Sequence, residues 1–152
     1  MENKRHCFIF DLDGTLANIE HRLHCIRVEE GRKPDWNRFN ELCIYDTPIL
    51  PVVNMARLLA DTHHIVICSG RMATKSVSDK TQKWLKLNHI TYSALYMREE
   101  NDYRPDHIIK EECYNQIVLK YFIAGVFDDR KSVVDMWRSK GLICYQVADE
   151  AF

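Results

Sequence analysis

Short apolar runs alternate along the chain with longer stretches in which apolar residues recur every three or four positions. The runs have the length and the β-branched residues that are typical of strands buried on both faces of a sheet. They cover residues 7–10, 65–68, 92–97, 123–127 and 142–147. The longer stretches predict helices over residues 47–63, 74–88, 104–121 and 130–140. This alternation predicts a three-layer α/β fold, with helices on both faces of a parallel sheet.

The length of the chain is that of one compact domain. Its 152 residues, 46% of them apolar, are enough to bury an adequate core. No Pro/Gly/Ser-rich linker, internal repeat or low-complexity tract divides it. Helical or strand periodicity is weakest at about residues 18–46, between the first strand and the first long helix. We therefore expect residues 1–152 to form a single domain with a small lid-like insertion at 18–46.

Composition narrows the class of protein. A formal net charge of −1 disfavours salt-resistant binding to long duplexes, which needs a broad basic surface. The longest apolar stretch is far shorter than a membrane span, and residues 1–5 lead into the first strand without a secretory segment. We therefore expect a soluble cytoplasmic protein with no membrane partner. The six cysteines have no Cys-x-x-Cys spacing, and Cys7, Cys68 and Cys144 fall in predicted strands, which favours reduced core thiols.

Two carboxylates follow the first strand, in the sequence Asp11-Leu12-Asp13-Gly14-Thr15. The chain must turn at Gly14, so Asp11 and Asp13 are expected at the carboxyl edge of the sheet, where open α/β sheets bind ligands. Two acids held together there repel each other unless a cation lies between them, and Mg²⁺ is the simplest choice. A polar turn without function is the alternative for so short a motif taken alone.

Three other segments bring complementary groups to the same edge of the predicted sheet. They are a hydroxyl, a flexible residue and a guanidinium at Ser69, Gly70 and Arg71, an ammonium at Lys110, and two further carboxylates at Asp128 and Asp129. The first set can grip phosphate oxygens, and the last can complete a metal site. Convergence of these elements on one edge predicts a site that handles phosphate.

In this order, the motifs resemble those of the haloacid dehalogenase-like phosphatases: an Asp-x-Asp, a Ser or Thr, a Lys and a terminal acidic pair. The chain is also similar to the 3′-phosphatase domain of the polynucleotide kinase/phosphatases of T-even bacteriophages, above all over residues 127–138 and 146–148. The similarity covers nearly the whole chain and is weakest over residues 18–48. It implies a Rossmann-like sheet, and a location in the host cytoplasm if the protein is encoded by a bacteriophage.

The resemblance implies a Mg²⁺-dependent phosphatase that removes 3′-phosphates from polynucleotide ends through an aspartyl-phosphate. Asp11 is the expected nucleophile, and Asp13, protonated at first, the general acid and then the general base. The expected metal ligands are Asp11, the main-chain carbonyl of Asp13, and one or both of Asp128 and Asp129. The expected phosphate-binding residues are Ser69, Gly70, Arg71, Arg98 and Lys110.

Two other functions remain open. The same motifs serve phosphatases of nucleotides and other small esters, since a fold does not fix the substrate. A binding module with a relict site is less favoured, because all the expected catalytic groups are present. For the favoured function the partners are 3′-phosphorylated DNA or RNA ends. The chain has no Gly-x-x-x-x-Gly-Lys-Ser/Thr loop, so a separate kinase or ligase partner is compatible with it.

The insertion mixes cations and aromatic residues with acids. Its cations and aromatics include His21, Arg22, His24, Arg27, Arg32, Lys33, Trp36, Arg38 and Phe39. A solvated lid that packs Trp36 and Phe39 onto the body is favoured over contacts with phosphates and bases. A zinc site built from His21, His24, Cys25 and Cys43 is least favoured, since the spacing matches no closed zinc pattern. For Arg98 a surface ion pair with Glu99, Glu100 or Asp102 is the alternative to binding phosphate.

Overall fold

The computed structural model describes residues 5–151, so residues 1–4 and 152 of the predicted domain lie outside the described residues. The strands are β1 (Arg5–Phe10), β2 (Ala17–Asn18), β3 (Thr47–Pro48), β4 (His64–Met72), β5 (Ala94–Arg98), β6 (Tyr121–Asp128) and β7 (Cys144–Gln146). The helices are α1 (Trp36–Glu41), α2 (Leu50–Leu59), α3 (Lys75–Leu87), α4 (Asp106–Lys120) and α5 (Lys131–Ser139). Two 3₁₀ helices cover Glu20–Cys25 and Leu42–Tyr45.

The main sheet has five parallel strands in the order β5-β4-β1-β6-β7, which confirms the predicted α/β fold. The central strand β1 pairs on one side with β4, through Ile9 and Val66, and on the other with β6, through Ile9 and Val126. Because these strands are parallel, the residues that follow β1 and those that end β6 meet at one edge of the sheet.

Alternate residues of the strands supply two separate cores. Cys7 and Ile9 of β1 face a cluster that includes residues of α4 and α5. Phe8 and Phe10 face the opposite side, where the cluster includes Trp84 of α3 and residues of α2. Burial on both faces explains why these strands are almost continuously apolar in sequence.

The structure corrects several predicted boundaries. Helix α2 begins at Leu50 rather than at residue 47, because Thr47 and Pro48 form β3 and pair with β2. Helix α2 ends at Leu59 rather than at residue 63, because the chain then tightens into a turn in which the Asp61 and Thr62 amides donate to the carbonyls three residues before them. Strand β4 extends past Cys68 to Met72, with an irregular register against β5 between Ser69 and Met72. Residues 69–71 therefore lie on the last part of the strand, and not after it.

The segment between β1 and α2 has a small core of its own. Strands β2 and β3 pair antiparallel, Ala17 with Pro48 and Asn18 with Thr47, and so bring the two ends of the segment together. Between them lie both 3₁₀ helices and α1. The buried residues that form this small core are Ile19, Leu23, Cys25, Ile26 and Phe39.

All six cysteines are buried and free, as the sequence predicts. Among residues 5–151, no helix combines the length and the apolar character that crossing a membrane requires.

Candidate active site

Three buried carboxylates meet at the carboxyl edge of the sheet. Asp11 follows β1, where its amide donates to the Phe127 carbonyl at 3.0 Å, and Asp128 and Asp129 lie at the end of β6. One oxygen from each carboxylate lies within 4.8 Å of the others. In the described part of the chain this is the one group of three such side chains close enough to hold a metal ion.

Lys110 lies between two of these carboxylates. Its Nζ donates to Asp11 Oδ1 at 2.8 Å and to Asp128 Oδ2 at 2.9 Å, and it is 4.0 Å from Asp106 Oδ2. Burial opposes the charge on this ammonium, but the three carboxylates outweigh that effect and raise the pKa of Lys110 well above its ordinary value. The lysine is therefore held in its charged form against Asp11.

The charges of this cluster favour a divalent cation. With all three carboxylates ionised, these buried side chains and the Lys110 ammonium carry a net charge of −2. Burial raises the pKa of Asp11 well above its usual range, and burial together with Asp128 raises the pKa of Asp129 to about 6. A divalent cation brings this net charge to zero, and Mg²⁺ takes the oxygen ligands that this cluster offers. The residues present therefore fit a magnesium ion.

Gly14 allows Asp129 to approach the loop after β1. Its φ is +83°, in the left-handed region, and a Cβ at this position would lie 2.2 Å from Asp129 Oδ2. The next residue, Thr15, is buried and donates its hydroxyl to Asp11 Oδ2 and Asp129 Oδ1, both at 3.3 Å. The Gly-Thr pair after the second aspartate is thus needed for close contact between the loop and Asp129.

Asp13 lies in a different environment from Asp11. Its Oδ1 accepts hydrogen bonds from Arg71 Nε at 2.8 Å, Arg71 Nη2 at 2.6 Å and Arg22 Nη2 at 2.7 Å. Burial disfavours its charge, but Arg71 and Arg22 outweigh burial and hold the pKa of Asp13 well below its usual range. The two arginines therefore favour the ionised form of Asp13 in the substrate-free state.

Arg22 and Asp46 complete this network, and neither was expected at the site. Asp46 accepts from Arg22 Nε at 2.7 Å and Nη2 at 2.6 Å, from Arg71 Nη2 at 2.9 Å and from His21 Nε2 at 2.8 Å. Arg22 has a usable sequence signal, because at helical spacing it shares one face with Ile19, Leu23 and Ile26. A charged residue on an apolar face needs a buried partner. Asp46 has no such signal.

Ser69 and Gly70 lie against the same network. Ser69 is buried, and its Oγ accepts the Arg71 amide at 3.2 Å while keeping a hydroxyl proton to donate. Gly70 packs on Asp106, so that a Cβ added at Gly70 would lie 2.1 Å from Asp106 Oδ1. Asp106 is thus a further site residue that sequence reasoning did not single out.

Arg98 bonds mainly to the protein itself. Its Nε donates to the Gly70 carbonyl at 2.9 Å, and its Nη2 donates to Asp106 Oδ1 at 3.0 Å. Its Nη1 donates to the carbonyls of Asp102 and Arg104, at 3.1 and 2.5 Å. The ion pair is therefore with Asp106 rather than with the acids considered from the sequence. These contacts fix the loop after β5 relative to Gly70, and the expected contact with phosphate stays a prediction.

A cavity of about 330 Å³ opens over the carboxylates. Six of the residues expected at the site line it, namely Asp11, Asp13, Gly70, Arg71, Arg98 and Asp129. The other three, Ser69, Lys110 and Asp128, contact lining residues from below. The expected residues are thus brought together around one opening. The zinc alternative has no support, because among the described residues His21, His24, Cys25 and Cys43 do not form a group close enough to hold a metal ion.

Residues 5–152 match the family model described as the polynucleotide kinase PNKP phosphatase domain. The chain belongs to this family of phosphatase domains. The membership confirms the resemblance that the motifs suggested. It also identifies the fold as that of the haloacid dehalogenase-like hydrolases, to which the lower-identity structural neighbours belong.

Two relatives of this phosphatase domain are larger proteins. One, from Autographa californica nuclear polyhedrosis virus, is named as a bifunctional polynucleotide kinase/RNA ligase; it is 31% identical over 132 residues, which are 84% of this chain and 17% of that protein. The other is a chain in the Pnkp1/Rnl/Hen1 RNA repair complex, with 32% identity and a TM-score of 0.82, covering all of this chain and 45% of that one. The phosphatase domain described here thus spans less than half of each.

A more distant structure shares the fold alone. It is a haloacid dehalogenase-like hydrolase from Streptococcus pneumoniae, with 14% identity, a TM-score of 0.61, and coverage of 95% of this phosphatase domain and 84% of that chain.

Proposed function

We propose that this phosphatase domain removes 3′-phosphates from polynucleotide ends, with Mg²⁺ and through an aspartyl-phosphate on Asp11. The observation that carries the proposal is the pair of contrasting carboxylates at the end of β1. Asp11 lies in a buried acidic cluster beside Lys110, and Asp13 lies against Arg71 and Arg22. The membership in a polynucleotide kinase phosphatase family supports the choice of substrate.

In the first step, an Asp11 carboxylate oxygen attacks phosphorus and the bond from phosphorus to the sugar 3′-oxygen breaks. Asp13 gives its proton to that oxygen, which leaves as a hydroxyl. In the second step, Asp13 takes a proton from a water that attacks the aspartyl-phosphate. The bond from phosphorus to the Asp11 oxygen then breaks. Inorganic phosphate leaves, the Asp11 carboxylate is regenerated, and Asp13 is protonated again for the next cycle.

We expect Asp13 to become protonated when the substrate binds. Arg71 lines the cavity, so that an entering phosphate competes with Asp13 for the guanidinium. The negative charge of the phosphate then lies near Asp13, and like charges raise a carboxyl pKa. Both effects reverse the lowering of the pKa of Asp13 that the arginines cause in the substrate-free state.

The remaining residues hold and neutralise the phosphate. Lys110 and the hydroxyl of Ser69 offer donors for the charge that develops on phosphate oxygens, and Gly70 leaves room for the phosphate beside Arg71. When bound by Asp11 and the acids at the end of β6, Mg²⁺ offsets the repulsion between the carboxylates and the phosphate. The main-chain carbonyl of Asp13 is the further ligand expected from the family motif.

A nucleotidase is the second candidate, because the cavity is at the lower end of the size range of pockets for small ligands. Phosphate release should be measured in Mg²⁺ from a 3′-phosphorylated oligonucleotide, the same oligomer with a 5′-phosphate, and the 3′- and 5′-mononucleotides. The proposal predicts that kcat/KM is highest for the 3′-phosphorylated oligomer, on DNA or RNA, and that chelation abolishes it. Equal or better values for mononucleotides would make the protein a nucleotidase.

We also propose that this domain acts together with kinase and ligase activities on the same broken ends. The names of the two larger relatives support this. One is named as a polynucleotide kinase/RNA ligase, and the other is a chain of an RNA repair complex. A 3′-hydroxyl is what a ligase joins. Addition of a polynucleotide kinase and an RNA ligase to this protein should therefore seal an RNA break that carries a 3′-phosphate, and Asp11→Asn should prevent sealing.

A further inference from the structure

Two exposed aromatic side chains line the cavity above the carboxylates. Trp36, the first residue of α1, has 44% of its surface exposed, and Tyr103, in the loop between β5 and α4, has 77% exposed. Both line the cavity that Asp11 and Arg71 also line. Large aromatic rings at the opening of a polar cavity are a surface on which a flat, partly apolar group can bind.

The position of Trp36 is fixed relative to Asp13. Its ring packs edge-on against the buried ring of Phe39, with 5.7 Å between the centroids. Arg22 lies 4.2 Å from the centre of the Phe39 ring and donates to the Phe39 carbonyl at 3.1 Å. The same guanidinium donates to Asp13. One arginine therefore connects α1, and the tryptophan on it, to the expected general acid.

The position of Tyr103 is fixed in a similar way relative to Gly70. The carbonyls on either side of the tyrosine, those of Asp102 and Arg104, both accept from Arg98. Arg98 also donates to the Gly70 carbonyl, beside Arg71. Each aromatic residue is thus held by a buried or half-buried arginine that contacts the loop or strand at the phosphate end of the cavity.

We infer that Trp36 and Tyr103 form a base-stacking subsite, which binds the nucleobase of the terminal nucleotide while its 3′-phosphate lies over Asp11. The inference rests on the proposed function and specifies the group that the enzyme recognises beyond the phosphate. Stacking needs only the flat face of a base, so the subsite accepts any of the four bases. It requires no basic surface, in agreement with the net charge of −1.

The test compares two oligonucleotides that differ in one base. Both carry a 3′-phosphate, but in the second the terminal nucleotide is an abasic sugar. Glycerol 2-phosphate, which has no ring, reports the chemistry alone. Trp36→Ala and Tyr103→Ala are the variants, and Tyr45→Ala is the matched control, because Tyr45 is an exposed aromatic residue of the same insertion outside the cavity lining.

Each cavity variant should lower kcat/KM on the base-bearing end by about tenfold, through KM, and leave the abasic end and glycerol 2-phosphate unchanged. Trp36→Phe should retain most of the activity, and the Tyr45 variant should behave as wild type. Equal losses on all three substrates, or no loss on any, would overturn the subsite. Wild-type protein that hydrolyses glycerol 2-phosphate but neither oligonucleotide would overturn the proposed function and the subsite together.

A binding measurement gives a readout without turnover. Of the three tryptophans, Trp84 and Trp137 are buried, so a stacked base should quench the fluorescence of Trp36. With Asp11→Asn, the base-bearing oligonucleotide should quench this emission and the abasic one should not. Quenching that persists in the double variant with Trp36→Phe would count against stacking on this ring.

Discussion

At the scale of single residues, the site contrasts two carboxylates that are two positions apart in sequence. Asp11 shares its surroundings with two other carboxylates and one ammonium, and its pKa is raised. Asp13 shares its surroundings with two guanidinium groups, and its pKa is lowered. Pairs of titratable groups whose surroundings shift their pKa values in opposite directions are typical of acid-base sites. The surroundings of Asp11 therefore suit a bound cation. Asp13, in contrast, must gain a proton before it can act as a general acid.

Replacement of each aspartate by asparagine tests these two roles. Asp11→Asn should abolish phosphate release, because the amide is not a nucleophile. Asp13→Asn should lower kcat by about 10²- to 10⁴-fold, the usual contribution of general acid-base catalysis. The measurement is phosphate release at saturating substrate, with thermal unfolding as the control for folding. Near-normal activity in both purified variants would contradict the mechanism.

Lys110 is expected to contribute to stability as well as to catalysis. Lys110→Met leaves Asp11 and Asp128 buried without their shared ammonium, so the free energy of unfolding should fall by about 3–5 kcal/mol. Mg²⁺ should restore part of this loss. Lys131→Met, which removes an exposed ion pair with Asp135, should cost less than about 1 kcal/mol in the same denaturant titration. Equal changes in the two variants would show that the buried ammonium has no special role.

At the scale of elements, the lid-like insertion is attached to the site by buried charge as well as by apolar contact. Arg22 comes from the first 3₁₀ helix, Asp46 precedes β3, and both contact groups on the body of the domain. The Trp84 indole of α3 donates to the Asp46 carbonyl at 2.7 Å. A change at Arg22 should therefore affect the whole insertion.

Arg22→Met should loosen the insertion while the main sheet stays folded. The change leaves Asp13 and Asp46 with fewer partners, so amide hydrogen exchange should accelerate over residues 19–46 more than over β1 and β4. Lys80→Met is the control, because the contacts it removes, an ion pair and a hydrogen bond from α3 to Glu41, are partly exposed to solvent and are therefore weak. Uniform acceleration across the domain would mean that the insertion and the sheet unfold as one unit.

Sequence patterns predicted the elements of the main sheet well and the insertion poorly. The five parallel strands and the four longer helices follow from apolar periodicity, since burial on one or two faces imposes it. Residues 18–46 form short 3₁₀ helices and a six-residue helix, which are too brief to repeat a pattern. Their packing depends on which distant charges meet.

The candidate site was predictable as far as strand ends determine it. Asp11, Asp13, Asp128 and Asp129 are at the ends of adjacent strands, so topology alone brings them together. The pairing of Asp13 with Arg22 and Arg71 was not predictable, because it arises where the insertion meets β4. For the same reason, the effect of these arginines on the pKa of Asp13 was not predictable from the sequence.

At the scale of the whole molecule, stability should depend jointly on pH and Mg²⁺. The folded pKa of Asp129, about 6, exceeds the ordinary value of 3.8, so the folded state binds this proton more tightly than the unfolded chain. The stability that the proton contributes is present below pH 3.8 and is lost as the pH rises through about 6. Mg²⁺ competes with the proton for the ionised cluster.

Mg²⁺ should therefore raise Tm more at a pH above 7 than at a pH near 5. Differential scanning calorimetry with and without Mg²⁺ measures this difference in Tm. The apparent affinity of the protein for Mg²⁺ should weaken by up to about tenfold for each pH unit below 6. Asp129→Asn should reduce both the thermal shift and its dependence on pH. A shift of the same size at both pH values would contradict binding at these carboxylates.

The position of β1 affects when activity can appear during protein synthesis. Of the five strands of the main sheet, β1 is synthesised first, although it lies at the centre of the sheet. The groups that surround Asp11 are synthesised much later: Lys110 follows Asp11 by 99 positions, and Asp129 follows it by 118. Such long-range pairing is slow compared with local helix formation. In a nascent chain whose β6 is still inside the ribosome, Asp11, the expected nucleophile, therefore lacks the carboxylates and the ammonium that surround it in the folded domain. Products that terminate before β6 are expected to be inert toward phosphate esters, and activity is expected only after Asp128 and Asp129 have been synthesised.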